Sequence, residues 1–101
     1  MPSKYLGNTA YRTKQEADAS IANLVMRMWR SPGASRDDIV DHIVTHINSY
    51  GIKDVDTIVL RKILHTYVSI IDQLLAMDNV ELICPEAAFT IKWIKENGYA
   101  R

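Results

Sequence analysis

A run of 26 residues, from Asp54 to Asn79, contains neither glycine nor proline and constrains the fold more than any other part of the chain. On a helical wheel at about 100° per residue, its apolar side chains fall within one arc about half the circumference wide. An ordinary surface helix carries an apolar stripe of roughly 100° or a little more. The wider arc predicts one long amphipathic helix over residues 54–79 that is covered on two sides and forms the centre of the core. The apolar side chains of the arc are Val59, Leu60, Ile63, Leu64, Tyr67, Val68, Ile70, Ile71, Leu74, Leu75 and Met77.

Length and cysteine content narrow the class of protein. The chain has 101 residues, which is the size of one domain. Its single cysteine, Cys84, cannot form an internal disulfide, which fits a reducing compartment. No apolar run approaches the roughly 18 residues of a membrane span, and no apolar signal-peptide core follows Met1. We therefore expect a soluble cytoplasmic protein with no membrane partner.

The charges are unevenly distributed although the net charge is zero. Residues 1–36 contain six basic and two acidic residues, a net charge of +4, whereas residues 37–79 contain three basic and seven acidic residues, a net charge of −4. A dedicated nucleic-acid-binding domain usually has a basic excess over its whole length. The segregation of charge favours an oriented contact with another protein, so nucleic acid is the less favoured partner.

Start and stop signals predict three further helices around the central one. Thr13 and Glu16 are spaced as a capping box that opens the first helix, and Gly51 is placed to end the second in the left-handed conformation. Either Asp54 or Asp56 then caps the central helix, which should lie close to the second helix because the linker is short. The expected fold is all-α, a small bundle of four helices at about 13–30, 35–50, 54–79 and 85–97, with residues 1–12 as a flexible N-terminal arm and 13–101 as one helical domain.

The last quarter of the chain supports two interpretations. Residues 80–84 form an apolar run of strand length, and apolar and polar residues alternate over residues 88–94, as in a strand. Pro85 as a first helical residue and Asn97-Gly98 as a stop signal instead favour a helix over 85–97. We prefer the helix because its start and stop signals agree. Such a helix places Phe89 and Trp93 on one side and Ala87, Ile91 and Ile94 on another.

Candidate catalytic and metal-binding residues are few. His42 and His46 lie four residues apart on the second helix with Asp38 one turn earlier, a spacing that a metal site can use. The wheel nevertheless directs His42 to solvent, and no Glu follows it as a metalloprotease motif requires. Cys84 lies in apolar surroundings that do not activate a thiol, and no nucleophile or phosphate-loop motif is present. We predict no catalytic residue, metal or cofactor, and no enzymatic activity.

The proportions of the predicted helices favour a protein-binding function. A central helix of about 25 residues is about 37 Å long, whereas helices of about 15 to 18 residues reach only about 22–27 Å. The apolar surface left uncovered needs another protein, and self-association is the commonest cover. We therefore predict a small non-enzymatic interaction module, a homodimer that acts as an adaptor or as a stoichiometric inhibitor or regulator, of a kind carried by phages and other mobile elements.

Two sets of contact residues follow from this hypothesis. A spacing near 3.5 residues identifies a self-association seam of Leu60, Leu64, Tyr67, Ile71 and Leu74. The aromatic and basic residues of the arm and first helix, with the polar edge of the central helix, form a partner-binding set of Tyr5, Tyr11, Arg12, Arg27, Arg30, Arg61, His65 and Asp72.

An alternative arrangement follows if the central helix breaks at His65-Thr66. Helices 35–50, 54–64 and 66–79 then form a three-helix core, with a wing over 80–94. The pattern from Thr66 to Leu82 resembles the recognition helix and following strand of winged-helix regulators. The resemblance implies a DNA-binding transcriptional regulator in which the first helix forms the dimer. Against it, the candidate recognition helix exposes no Arg or Lys, the residues that dominate DNA contacts.

Overall fold

The computed structural model describes residues 8–49 and 55–98, which fold as a small all-α bundle. In these residues, four α-helices follow one another along the chain, and one turn of 3-10 helix precedes the last. The helices are α1 (Asn8–Arg30), α2 (Arg36–Ser49), α3 (Thr57–Ala76) and α4 (Pro85–Glu96), and the 3-10 turn is Val80–Leu82. No strand occurs within the described residues, and the predicted all-α bundle of four helices is confirmed.

α1 begins at Asn8, five residues before the predicted start at Thr13, so the predicted capping box of Thr13 and Glu16 is wrong. The hydroxyl of Thr13 donates to the carbonyl oxygen of Thr9 at 2.6 Å, as an interior helical threonine does, and accepts from the backbone N–H of Asp56 at 2.9 Å. Residues 8–12 of the predicted arm are therefore helical. Residues 1–7 of that arm lie outside the described residues.

α3 begins immediately after Asp56, one of the two predicted caps; the other, Asp54, lies outside the described residues. The carboxylate of Asp56 accepts hydrogen bonds from the backbone N–H groups of Ile58 and Val59, both at 3.1 Å. The helix continues without a break through His65 to Ala76, and Asp78 follows in the left-handed conformation with φ 55°. The prediction of one continuous central helix is confirmed over a shorter range.

The relative lengths of α1 and α3 differ from the prediction. α3 has 20 residues and is about 30 Å long, whereas α1 has 23 residues and is about 34 Å long. The expectation that the central helix is longer than its neighbours is therefore wrong for α1, because the cap at Asp56 and the left-handed Asp78 shorten α3 while the early start lengthens α1. α3 is still longer than α2 and α4, which have 14 and 12 residues. Any exposed apolar surface on α3 must arise from the side that its neighbours leave open.

The last quarter of the described chain is helical. The backbone N–H of Cys84 donates to Val80 at 2.9 Å and that of Ala88 donates to Cys84 at 3.1 Å, so consecutive turns lead into α4. Gly98 follows α4 with φ 74°, the left-handed conformation that glycine favours at a helix end. The strand interpretation of this segment is wrong. The winged-helix arrangement is not formed either, since it needs a break at His65 and a wing over 80–94.

The first three helices run up, down and up. The hydrogen bond between Thr13 and Asp56 brings the starts of α1 and α3 together, and Trp29 and Leu75, near their ends, border one cleft, so these two helices are parallel. Arg36 at the start of α2 contacts Asp72 near the end of α3 at 2.7 Å, so α2 is antiparallel to α3 and lies beside it, as the short linker predicts. α4 packs against α1 and the 3-10 turn.

The core lies where α1, α2 and α3 meet. In this core α1 buries Ala17, Leu24, Val25, Met28 and Trp29, with Ile21 half-buried, and α2 buries Ile39, Val40, Ile43, Val44 and Ile47. The largest fully buried apolar side chains are Leu24, Val25, Met28, Val40, Leu60, Leu64 and Ile71. Leu60, Leu64 and Ile71 point into the bundle from α3, which makes α3 the central helix, as predicted.

Candidate functional site

The polar edge of α3 is used in contacts with α2. Three residues of the predicted partner-binding set lie on this edge: Arg61, His65 and Asp72. Each of them contacts an ionisable residue of α2. The pairs are Arg61–Asp41 at 2.7 Å, His65–Asp37 at 3.6 Å and Asp72–Arg36 at 2.7 Å. These contacts run along the boundary between the two helices. The polar edge of α3 is therefore an internal contact between two helices of the bundle. Two of its residues, Arg61 and His65, face aspartates in the first two turns of α2.

The remaining partner-binding residues lie along α1 and do not converge. Tyr11 is exposed, and its hydroxyl accepts a hydrogen bond from Gln15 at 3.1 Å. Arg12 and Arg30 are both exposed but are 18 residues apart, which is about 27 Å along the helix. Arg27 is exposed as well and donates to the side chain of Asn23 at 2.9 Å. Tyr5 lies outside the described residues.

The predicted self-association seam is largely core. Leu60, Leu64 and Ile71 are 0% exposed, and Tyr67 and Leu74 are half-buried. A folded copy cannot offer fully buried side chains to a second copy, so the seam is wrong at these three positions. The spacing was a sound indicator of a packed helix face, but it could not distinguish packing within the chain from packing between chains.

A second apolar stripe lies beside the buried face of α3. We define the α3 stripe as Ile63, Tyr67, Ile70 and Leu74 of α3 together with Met77, the residue that directly follows the helix. Ile70 is 42% exposed and Met77 is 65% exposed, whereas the other three are half-buried. The stripe lies on the side of α3 away from α2, because Arg61, His65 and Asp72 occupy the opposite edge. No described element covers it completely.

A groove between α1 and α3 adjoins the start of this stripe. Its volume is about 640 Å³, and the pair of Lys14 and Asp18, 3.2 Å apart, lies at its side. The groove exists because α1 presents small side chains here. The groove is lined on α1 by Thr9, Ala10, Thr13 and Ala17, and on α3 by Val59, Ile63 and Tyr67.

The most exposed aromatic side chain of the described chain, that of Phe89, lies on α4. We define the α4 surface as Phe89 and Trp93, which are 70% and 48% exposed. They are four residues apart and point away from the face that Ala87, Ile91 and Ile94 bury, as the helical interpretation predicts. Leu82 in the preceding 3-10 turn is also exposed. Phe89 further borders a cleft of about 580 Å³ that Trp29 and Leu75 line from the other side.

The chemistry-bearing residues are scattered. Within the residues that the structure describes, no group of three or more His, Cys, Asp or Glu side chains is arranged to hold a metal ion. His42 and His46 are both exposed on α2. Cys84 is buried at the start of α4. The absence of enzymatic activity, of a metal and of a cofactor stays a prediction.

Comparison with known proteins adds no functional information. No protein-family model matches the chain, and no curated protein or solved structure matches it. Within the described ranges, no helix has the length and apolar character needed to cross a membrane.

Proposed function

We propose that this protein is a small non-enzymatic protein–protein interaction module, an adaptor or stoichiometric regulator, and that the α4 surface is its partner-binding face. The observation that carries the proposal is the exposure of Phe89 and Trp93 on a helix whose opposite face is packed. Its single buried cysteine and the absence of a disulfide support action in the cytoplasm.

The aromatic pair is costly to leave in water. Phe and Trp side chains each bury about 150–250 Å² when covered, and burial of apolar surface is favourable by about 25 cal/mol per Å². Their i, i+4 spacing places both rings on one side of α4, so that a single partner groove can receive both. Aromatic side chains of this kind are enriched among residues that dominate binding free energy.

The geometry indicates what the partner must offer. A groove that accepts two rings about one helical turn apart needs an apolar floor. The cleft beside Phe89 sets no preference for charge, because Asp78 and Glu81 line it together with Lys92 and Lys95, and Lys95 pairs with Asp78 at 3.7 Å. Phe89 can serve as the deeper anchor because it is the more exposed of the two rings.

The test is an affinity capture with the full chain as bait. Wild-type protein should retain a partner that the double variant Phe89→Ala/Trp93→Ala loses. The matched control is Ile58→Ala, because Ile58 is a large apolar residue in the first turn of α3, outside the α4 surface, and is 69% exposed. Each aromatic truncation should weaken the affinity for the captured partner by about 30-fold.

The contrary outcomes are equally clear. A partner that both bait proteins retain equally would refute the role of the α4 surface. Binding of wild-type protein to random duplex DNA at low salt, with an affinity that falls steeply as salt rises, would favour the nucleic-acid alternative instead. Fluorescence anisotropy measures that affinity directly.

A further inference from the structure

We propose that the α3 stripe binds the α3 stripe of a second copy of this chain, with the two helices antiparallel and Ile70 at the twofold axis. The interface is separate from the α4 surface and does not depend on it. It also differs from the seam predicted from sequence, because Ile63, Ile70 and Met77 replace the buried Leu60, Leu64 and Ile71.

The spacing of the stripe calls for a helical partner. Its five residues follow one another at intervals of four, three, four and three residues, from Ile63 to Met77. This is the spacing at which two helices interlock side chains along a common seam. It extends over two heptads, or about 21 Å of helix. A flat or irregular partner surface would not make use of this regularity.

The residues beside the stripe make it complementary to itself. On the outer flank lie Thr66 and Gln73, which are exposed and uncharged. On the inner flank lie Leu64 and Ile71, which are fully buried. A twofold interface brings the same patch of both copies together, so a charged residue at its centre would lie against the same charge of the other copy and repel it. The stripe and both flanks contain no charge to oppose such pairing.

The antiparallel orientation gives each exposed side chain a place to pack. With Ile70 at the axis, Ile63 lies opposite Met77 of the second copy and Tyr67 lies opposite its Leu74. Met77 is the most exposed member of the stripe, and its unbranched side chain adapts to irregular spaces. The place opposite it is the groove between α1 and α3, whose α3 wall includes Val59 and Ile63. The twofold axis therefore places Met77 of each copy at the α1–α3 groove of the other copy.

The charges at the two ends of α3 favour the same orientation. Lys62 is exposed near the start of the stripe. Just beyond its end lies Asp78, whose side chain pairs with Lys95 at 3.7 Å and is still 90% exposed. Antiparallel pairing brings Lys62 of one copy to the level of Asp78 of the other at both ends of the interface. Parallel pairing would instead align like charges, and would also align the two helix dipoles unfavourably.

The oligomeric state is tested by sedimentation equilibrium on the full chain. Wild-type protein should dimerise with rising concentration, and Ile70→Glu should weaken the dimer by about a hundredfold, because each dimer contains the substitution twice. Ile58→Glu, on an exposed position outside the stripe, should leave the dimer unchanged. Far-UV circular dichroism verifies that both variants fold. A wild-type protein that stays monomeric, or a dimer indifferent to Ile70→Glu, overturns the proposal.

Cysteine cross-linking tests the orientation. Under mild oxidation, the double variant Ile63→Cys/Met77→Cys should form a covalent dimer, whereas Ile63→Cys alone should not, because residue 63 faces residue 77 of the other copy. Cross-linking of Ile63→Cys alone, above the level that Ile58→Cys gives, would show parallel pairing and refute the antiparallel model. Cys84 is buried and does not compete. If capture through the α4 surface fails while cross-linking succeeds, only the proposed function is lost.

Discussion

The hydroxyl of Thr13 is predicted to hold the starts of α1 and α3 together. It donates to Thr9 within α1 and accepts from the backbone N–H of Asp56, and the side chain is 1% exposed. Thr13→Val keeps the size and branching of the side chain but removes both hydrogen bonds. Because water has little access to replace them, the lost bond and the unsatisfied N–H should together lower the free energy of unfolding by about 1–3 kcal/mol.

Two further variants separate this role from the helix cap that the sequence suggests. Thr13→Ser keeps the hydroxyl and loses one buried methyl group, so it should cost only about 0.8 kcal/mol. Glu16→Ala should change stability by no more than about 0.5 kcal/mol, since Glu16 lies two turns inside α1. In a capping box, by contrast, Glu16 would satisfy a backbone N–H and its removal would destabilise the helix.

Urea unfolding followed by far-UV circular dichroism measures these differences. With a denaturant dependence of about 1–3 kcal/mol per molar urea, a loss of about 2 kcal/mol shifts the midpoint by roughly 1 M. Equal midpoints for Thr13→Val and wild type would refute the bridging role. A Glu16→Ala variant as unstable as Thr13→Val would instead restore the capping box and place the start of α1 at Thr13.

Three other predictions concern stability and are measured by the same unfolding experiment. Leu64→Ala should cost about 2–5 kcal/mol, because it leaves a cavity at a fully buried position of α3. A double-mutant cycle on Arg36 and Asp72 should give a coupling of only about 0.2–1 kcal/mol that decreases with added salt, since both side chains are partly exposed; a salt-independent coupling would contradict this. Gly98→Ala should destabilise by about 1 kcal/mol because φ is 74°, whereas Gly33→Ala, with open space and no positive φ, should stabilise by about 0.4–1 kcal/mol.

Helical periodicity and end signals were enough to predict the architecture. Four helices, the continuity of α3 through His65 and the outward direction of Phe89 and Trp93 all follow from local patterns. Pro85 and Gly98 identified α4 correctly against the strand propensities of its residues, because both act on the backbone at a helix end.

The errors arose where a tertiary contact decides the outcome. Thr13 has the sequence context of a helix cap, but its hydroxyl meets a backbone N–H 43 positions away, which no local pattern reveals. The predicted seam failed for a related reason, since two faces of α3 carry heptad-like spacing and only the positions of α1 and α2 show which is buried. The ion pairs between α2 and α3 likewise depend on the packing of two helices.

α4 buries few side chains, and this affects how stably Phe89 and Trp93 are held at the surface. α4 buries only Ala87, Ile91 and Ile94, whereas α2 buries five side chains. Local opening that detaches α4 while α1–α3 stay folded therefore requires less free energy than global unfolding, and amide hydrogens of α4 should exchange sooner than those of α3. A partner that binds only when α4 is packed on the bundle would suppress that opening. Its measured affinity would therefore depend on the fraction of molecules in which α4 is packed.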